Sequence, residues 1–352
     1  MKSEALSITE SACRQEQGEE YEIFLSWILV LTLLFSLAAC GKNEQEGNQT
    51  VSIEQQKEVL ADTIDQTGEF LHSSVADPTF GSVGGEWLIM GLARSGLEIS
   101  DEYYETYFQN LCAYTAQQGG VLHAKKYTEY SRVILAVTAI GQDPTDVGGF
   151  NMLLPLADFE QSVFQGINGP IFALLALDSG NYEIPENTVG STQATRDLYV
   201  DYIINAQLEN GGWSLMGGEA EIDLTAMALQ ALAKYQDRKD VADAVEKGLE
   251  ILSARQNENG GYQFSASEQV SCESVAQVIV ALAELGISLD DPRFVKNGKT
   301  LLDGILQFQC SDGGFSHLME GETDLLATEQ AFYALVAANR IAQGESSLYR
   351  MK

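Results

Sequence analysis

A short motif recurs three times in the second half of the chain. Each copy has a Gln, three further residues, two glycines and an aromatic residue, and successive copies start roughly 50 residues apart. Paired glycines allow positive φ and a sharp chain reversal, and the aromatic ring can wedge against the next helix. The motif therefore predicts a fold built from repeated units. The copies occupy residues 207–213, 256–262 and 309–315.

Two kinds of predicted helix alternate around these turns. One kind is apolar on nearly all sides, which is typical of helices buried on most of their surface, and the other is amphipathic. A ring of six hairpins, with apolar helices inside, accommodates both kinds, so we predict an all-α (α/α)6 toroid over residues 52–345 and a tail over 346–352. An open solenoid is the alternative. The predicted inner segments are 84–96, 127–141, 168–180, 223–235, 272–286 and 324–339, and the outer ones are 52–74, 101–118, 147–165, 195–207, 241–256 and 292–309.

These turns, together with the apolar helix that begins at Asp223, resemble the prenyltransferase/squalene-oxidase repeat family. The family includes class II terpene cyclases, protein prenyltransferase beta subunits, complement-type thioester domains and cobalamin carriers of the transcobalamin type. The resemblance implies an α/α toroid with a central cavity. It leaves the activity open, because one fold can support several chemistries as well as non-catalytic binding.

The cyclase chemistry would need a strongly acidic aspartate just before a Thr-Ala pair on an inner helix. Asp223 is similar in position to that general acid, and Glu221 to the first acid of the motif, while Leu224 replaces the last. Asp223 is therefore a candidate catalytic acid. A helix cap through its side-chain oxygen is the alternative interpretation.

The other chemistries of the family lack their residues in this sequence. Protein prenyltransferases bind zinc through Asp, Cys and His. Cys272 is placed as such a ligand, but Val270 stands where the Asp should be, and the chain has only three histidines. The Cys-Gly-Glu-Gln sequence of thioester domains is absent. We expect neither a metal nor a cofactor, and consider a corrinoid only as a ligand.

Candidate ligand-binding residues lie near the starts of the inner helices and at the motif aromatics, and Tyr333 is a further aromatic candidate. Carboxylates prevail among them, which favours a neutral or cationic ligand group over an anion. For Arg132 the alternative to ligand contact is an ion pair with Glu129, three residues earlier. The candidates are Glu86, Trp87, Glu129, Arg132, Asn168, Trp213, Tyr262, Glu273, Gln277, Phe315, Glu329 and Tyr333.

The N-terminal region predicts export. Residues 23–39 are uncharged and mostly apolar, and the sequence ending at Cys40 resembles the bacterial lipobox. This implies a signal peptide over 1–39, a lipid anchor at Cys40 and a polar tether over 40–51, on the extracellular face of the membrane. An uncleaved N-terminal anchor is the alternative. Cys112, Cys272 and Cys310 show no disulfide pattern and are predicted to be free thiols.

The net charge of the chain restricts the molecules that it can bind. The chain has 51 acidic and 20 basic residues, a net charge of -31, which argues against nucleic acid because phosphate binding needs clustered Lys and Arg. We expect a cell-surface lipoprotein that binds a small hydrophobic or corrinoid-like ligand without catalysis. A terpenoid cyclase, an isomerase using Asp223, is the first alternative, and a rigid adhesive scaffold is the second. A partner chain that closes the cavity mouth would suit the corrinoid carrier.

Overall fold

The computed structural model describes residues 53–188, 190, 192–263 and 269–352, and the predicted signal peptide, Cys40 and tether lie outside them. All regular structure in this part is helical, and extended segments meet only in isolated antiparallel bridges. No helix in it is both long enough and apolar enough to cross a membrane. The principal helices are α1 (Ile53–Ser74), α2 (Glu86–Ser95), α3 (Asp101–Gln117), α4 (Thr128–Ala139), α5 (Asn168–Ser179), α6 (Arg196–Asn205), α7 (Ile222–Leu232), α8 (Lys239–Arg255), α9 (Cys272–Glu284), α10 (Leu301–Leu306) and α11 (Leu325–Ala342).

The inner ring consists of α2, α4, α5, α7, α9 and α11. Each of these helices packs against the next, and α11 packs against α2, so the ring is closed. Their apolar composition follows from this position: every residue of α9 except Glu273 is buried. The predicted α/α toroid is confirmed, and the open solenoid is wrong.

The outer helices pack against helices of the inner ring. The first outer helix, α1, packs against α11. Helix α6 packs against α5, α8 against α7, and α10 against α9. The contact of α1 with α11 therefore joins the first outer helix to the last inner helix.

The predicted outer helix over 147–165 is wrong. The chain forms a tight turn there, with Gly148 at φ 62° and Gly149 at φ 88°, followed by short helical turns at Leu154–Ala157, Phe159–Ser162 and Val163–Gln165. A Cβ on Gly148 would lie 2.4 Å from the Cys112 carbonyl oxygen. This close approach to α3 requires glycine and ends any regular helix.

The predicted outer helix over 292–309 is too long. A short turn at Pro292–Phe294 precedes α10, and a reversal separates the two. Asn297 and Gly298 adopt φ of 50° and 76° in that reversal. Two successive residues with positive φ cannot belong to a right-handed helix.

The motif turns have a structural role, as the sequence predicts. The Gln207 amide donates to the carbonyl of Gly211 in its own turn at 2.7 Å and to that of Ala244 on the next outer helix at 2.8 Å. Gln256 repeats this arrangement with Gly260 and Phe294. Each of these glutamines therefore ties its own hairpin to the following one.

The last residues cross the end of the ring at which the inner helices end, here called the C-terminal mouth. The Met351 N–H donates to the Ser179 carbonyl at 2.9 Å. The Glu284 carboxylate accepts from the Ser347 hydroxyl at 2.6 Å and from the Tyr349 N–H at 3.0 Å. Because Ser179 and Glu284 end α5 and α9, residues 346–352 close this mouth.

All three cysteines of the described residues are free thiols, which confirms that prediction. Cys272 is buried, and Cys112 and Cys310 are half-buried. Burial raises the pKa of the Cys272 thiol well above its usual value. A buried, protonated thiol of this kind behaves as a small apolar side chain.

Candidate functional site: a cavity at the centre of the ring

A cavity of about 200 Å³ lies at the centre of the ring. Five of the six inner helices and the C-terminal residues contribute to its wall, so the ring as a whole forms it. Two grooves of larger volume lie elsewhere on the described residues, but each is lined by at most one aromatic residue, whereas this cavity has four. The lining residues are Trp87, Phe172, Asp223, Met227, Glu273, Gln277, Gln330, Tyr333 and Tyr349.

Aromatic rings form one part of the wall. The Trp87 ring lies 5.9 Å from that of Phe172 and 5.7 Å from that of Tyr333. Tyr349 reaches the cavity from the tail. Phe172 and Tyr349 were not predicted: Phe172 lies one turn beyond the predicted Asn168, and the tail carries no signal in its sequence.

Asp223 faces the cavity near the start of α7. Glu221 occupies the N-cap position of that helix and accepts a hydrogen bond from Ser214 at 2.8 Å, so the helix-cap interpretation of Asp223 is wrong. Asp223 Oδ1 is buried and has no hydrogen-bond partner. Burial raises the pKa of Asp223, a hydrogen bond with Ser274 opposes the shift, and the charges of Glu273 and Glu221 add to it.

Glu273 holds the equivalent position on α9. Ser271 caps this helix, and Glu273 follows two residues later, as Asp223 follows Glu221. Its carboxylate lies 2.8 Å and 2.9 Å from His317 Nδ1, on the loop that precedes α11. Of the two carboxylates that line the cavity, Glu273 is therefore the one that has a basic partner.

An amide network fixes the wall between α9 and α11. The Gln277 amide donates to Tyr333 Oη at 2.7 Å and to Gln330 Oε1 at 2.9 Å, and Gln230 donates to Gln277 Oε1 at 3.0 Å. Burial raises the pKa of Tyr333, so its hydroxyl remains protonated. Polar groups locked in this way hold a fixed geometry for a ligand.

Three predicted ligand residues form a structural ion cluster instead. Arg132 Nε lies 2.7 Å from Glu86 Oε2, and Arg132 also pairs with Glu129, which confirms the predicted ion pair. Glu86 accepts from the Tyr107 hydroxyl at 3.2 Å and is fully buried. Burial raises the pKa of Glu86, although Arg132 opposes the shift. These residues join α2 to α4 and do not line the cavity.

Glu329 lies beside this cluster, away from the cavity. Its Oε1 accepts from the Gly84 N–H at 2.6 Å and its Oε2 is buried without a partner. Burial raises the pKa of Glu329 to about 8. Asn168, at the start of α5, does not line the cavity either.

The motif aromatics are also not at the cavity, contrary to the prediction. Trp213, Tyr262 and Phe315 are fully buried, and the Trp213 indole donates to the Ile203 carbonyl at 2.7 Å. The Trp213 ring packs between outer helix α8 and inner helix α7, since a Cβ on Gly248 would lie 3.0 Å from this ring and 2.8 Å from Leu229. The repeat singles out these aromatic residues in the sequence, but it does not show whether a ring packs between helices or lines the cavity.

Comparison with known proteins supports the fold. Residues 225–346 match the family model described as the prenyltransferase alpha-alpha toroid domain. A type II terpene cyclase, MstE from Scytonema, solved with geranylgeranyl dihydroxybenzoate, has a TM-score of 0.56 at 14% identity over 82% of this chain and 100% of its own. Candida albicans protein geranylgeranyltransferase-I has a TM-score of 0.52 at 12% identity, over 80% of this chain and 92% of its own.

A third similar structure has a different activity. Unsaturated glucuronyl hydrolase from Bacillus sp. GL1 has a TM-score of 0.55 at 11% identity, over 85% of this chain and 99% of its own. No curated protein matches the sequence. At these identities the likeness concerns the fold alone, and the chain has an α/α toroid of the prenyltransferase and terpene cyclase type.

Proposed function

We propose that the ring binds a small, mainly apolar ligand in its central cavity without transforming it. The observation that carries this proposal is the lining itself, in which aromatic rings surround a few fixed polar groups, as is typical of ligand pockets. The volume of about 200 Å³ is below the roughly 300–1,000 Å³ of pockets for drug-sized ligands. It suits a compact molecule better than a corrinoid.

Native mass spectrometry tests this proposal. The full-length protein would be incubated with a metabolite extract and measured beside a Trp87→Leu variant, which removes one aromatic wall. We expect a small-molecule mass that the wild type retains and the variant loses. If the wild type retains no small molecule, the result contradicts ligand binding in the cavity.

The proposed location is the extracellular face of a bacterial membrane, with a lipid anchor at Cys40. The uncharged, mostly apolar segment that precedes Cys40 supports it. Labelling with a palmitate analogue in a bacterial host should mark the wild type and leave a Cys40→Ser variant unmarked. Equal labelling of both would rule out this anchor.

A cyclase remains the second candidate because of Asp223. An acid catalyst for alkene protonation needs a partly desolvated carboxyl group, and Asp223 has a buried oxygen and a raised pKa. Incubation with linear polyprenyl substrates and mass analysis of the products separates the candidates. A cyclase would give cyclic products that an Asp223→Asn variant does not, whereas a binder gives none with either protein.

A partner chain at the end of the ring where the inner helices begin is supported by the loops that precede those helices. Large apolar side chains are exposed on five of these loops, including Phe164 at 58% and Met216 at 89% exposure. Part of the sixth loop, residues 264–268, lies outside the described residues. Exposed apolar side chains mark a docking site where they form a contiguous patch. A Phe164→Ser/Met216→Ser variant should lose such a partner and keep the cavity ligand. The exposed residues on these loops are Val83, Val121, Phe164, Leu215, Met216 and Met319.

A further inference from the structure

Building on the proposed function, we infer that the cavity ligand is a compact alkylammonium ion. Its N–H group would donate to Asp223 Oδ1, and its alkyl part would lie against the aromatic wall. This assignment deepens the ligand proposal by fixing the charge and size of the ligand.

The charge of the cavity carries the first step. Its lining includes two carboxylates, Asp223 and Glu273, and neither lysine nor arginine. His317 partners Glu273. No salt bridge among the described residues involves Asp223, so an ionised Asp223 would lack a counter-charge there. A buried carboxylate without a counter-charge is unfavourable, and a cationic ligand would supply one.

The unpartnered oxygen carries the second step. Buried polar atoms in folded proteins nearly always have a hydrogen-bond partner, yet Asp223 Oδ1 has none although it is buried beside the cavity. A ligand N–H would satisfy it. A ligand hydroxyl would satisfy it too, but an ammonium group would in addition compensate the charge of an ionised Asp223, so it fits both requirements.

The aromatic wall carries the third step. Trp87, Phe172 and Tyr333 present a connected set of rings to the same space. Ring faces attract cations, tryptophan most strongly, and they also accept an alkyl chain. Helix N-termini near the cavity act against a cation, but Asp223 and Glu273 lie in the first turns of α7 and α9 and offset those dipoles.

The experiment compares three probes of equal length and different charge: pentylammonium, 1-pentanol and pentanoate. Each is titrated into the full-length protein by calorimetry. We expect pentylammonium to bind at least about ten-fold tighter than 1-pentanol, because a charge-assisted hydrogen bond is stronger than a neutral one. Pentanoate should bind weakest. This comparison uses the wild type and so does not depend on any variant folding.

Two variants locate the effect. Asp223→Asn should remove most of the preference for pentylammonium and change the affinity for 1-pentanol little. Glu219→Gln removes the same charge from an exposed carboxylate that pairs with Arg255 at 3.4 Å, and should leave all three affinities unchanged. Thermal melting verifies that both variants are folded.

The outcomes distinguish the inference from the proposed function. If 1-pentanol binds as tightly as pentylammonium, the ammonium inference is overturned while ligand binding in the cavity stands. If Asp223→Asn keeps the full preference, the role given to Asp223 is overturned. If none of the probes shows saturable binding, the inference and the compact-ligand proposal both fail.

Discussion

At the scale of single residues, the interior holds several carboxyl groups that this fold keeps out of water. Burial raises the pKa of Glu329 to about 8, from 4.5. A raised folded-state pKa means that the folded state binds its proton more tightly than the unfolded state. The stability from this group is therefore present below pH 4.5 and is lost as the pH rises towards 8.

A Glu329→Gln variant should lose this pH dependence. Glutamine still offers an oxygen to the Gly84 N–H and cannot ionise. In chemical denaturation, we expect the wild type to lose on the order of a few kcal/mol between mildly acidic and mildly basic pH, and the variant to lose less. Glu58→Gln, at an exposed site on α1, is the matched control and should follow the wild type. Identical profiles for wild type and Glu329→Gln would contradict this account.

The cluster of Glu86, Glu129 and Arg132 gives a second prediction. Arg132→Met removes the cation that lies 2.7 Å from Glu86 and leaves a buried carboxylate without its main partner. We expect a loss of about 3–5 kcal/mol in unfolding free energy at neutral pH. The double variant Glu86→Gln/Arg132→Met should recover part of it, since the fully buried charge of Glu86 is then absent and only the partly exposed Glu129 lacks its partner. A single variant as stable as the wild type would show that Glu86 is already neutral.

The same residues show what could be predicted from the sequence. Asp223, Glu273, Gln277 and Trp87 were predicted near the cavity because they lie near the starts of inner helices, and Tyr333 because it is aromatic; the structure places all five there. Glu86 and Arg132 met the same positional rule, and Trp213 was predicted as a motif aromatic, but these three lie elsewhere. The rule gives a position along a helix, but which side of the helix faces the cavity depends on packing against its neighbours.

At the scale of elements, the motif turns depend on how closely neighbouring hairpins approach. Gly260 and Gly96 both have φ of 83°. A Cβ on Gly260 would lie 2.2 Å from the Thr300 carbonyl oxygen, whereas one on Gly96 would meet nothing within 4 Å. The pair therefore separates the cost of a left-handed backbone from the cost of crowding.

Gly96→Ala should cost about 1 kcal/mol, the cost of the backbone conformation alone. Gly260→Ala should cost at least about 2 kcal/mol more, because the next hairpin must move away. Denaturant unfolding of the two variants measures the difference. Equal costs would mean that the turn does not hold the hairpins in contact.

The predicted helices agree with the structure to different degrees. All six inner helices appear where their apolar composition placed them, since burial on nearly every side leaves a strong signal. In the structure, the predicted outer helices 147–165 and 292–309 are interrupted by chain reversals around Gly148 and Gly298. Amphipathic composition alone did not reveal these breaks, because a short turn with the same polarity looks like a helix.

At the scale of the whole molecule, closure of the ring joins residues that are far apart in the chain. Glu329 on α11 binds Gly84 before α2, and Arg340 on α11 donates to the Arg94 carbonyl at 2.9 Å. The toroid was predictable because six equivalent hairpins bury their inner helices best in a closed ring. The role of residues 346–352 was not, since nothing in their sequence marks them as the cover of a mouth.

Arg94 ties that cover to the ring and gives the last prediction. Its guanidinium donates to the carbonyls of Ser347 at 2.9 Å and Leu348 at 3.2 Å. Arg94→Met would leave these carbonyls short of donors and free the tail that carries Tyr349. We expect a loss of about 2–3 kcal/mol in unfolding free energy, together with faster hydrogen exchange in the tail. Arg255→Met, at an exposed arginine, should show neither effect. If Arg94→Met destabilises the protein without loosening the tail, Arg94 supports α2 alone. If both effects appear, the position of Tyr349 in the cavity wall depends on the contacts of the Arg94 side chain with the tail, and ligand retention should weaken with them.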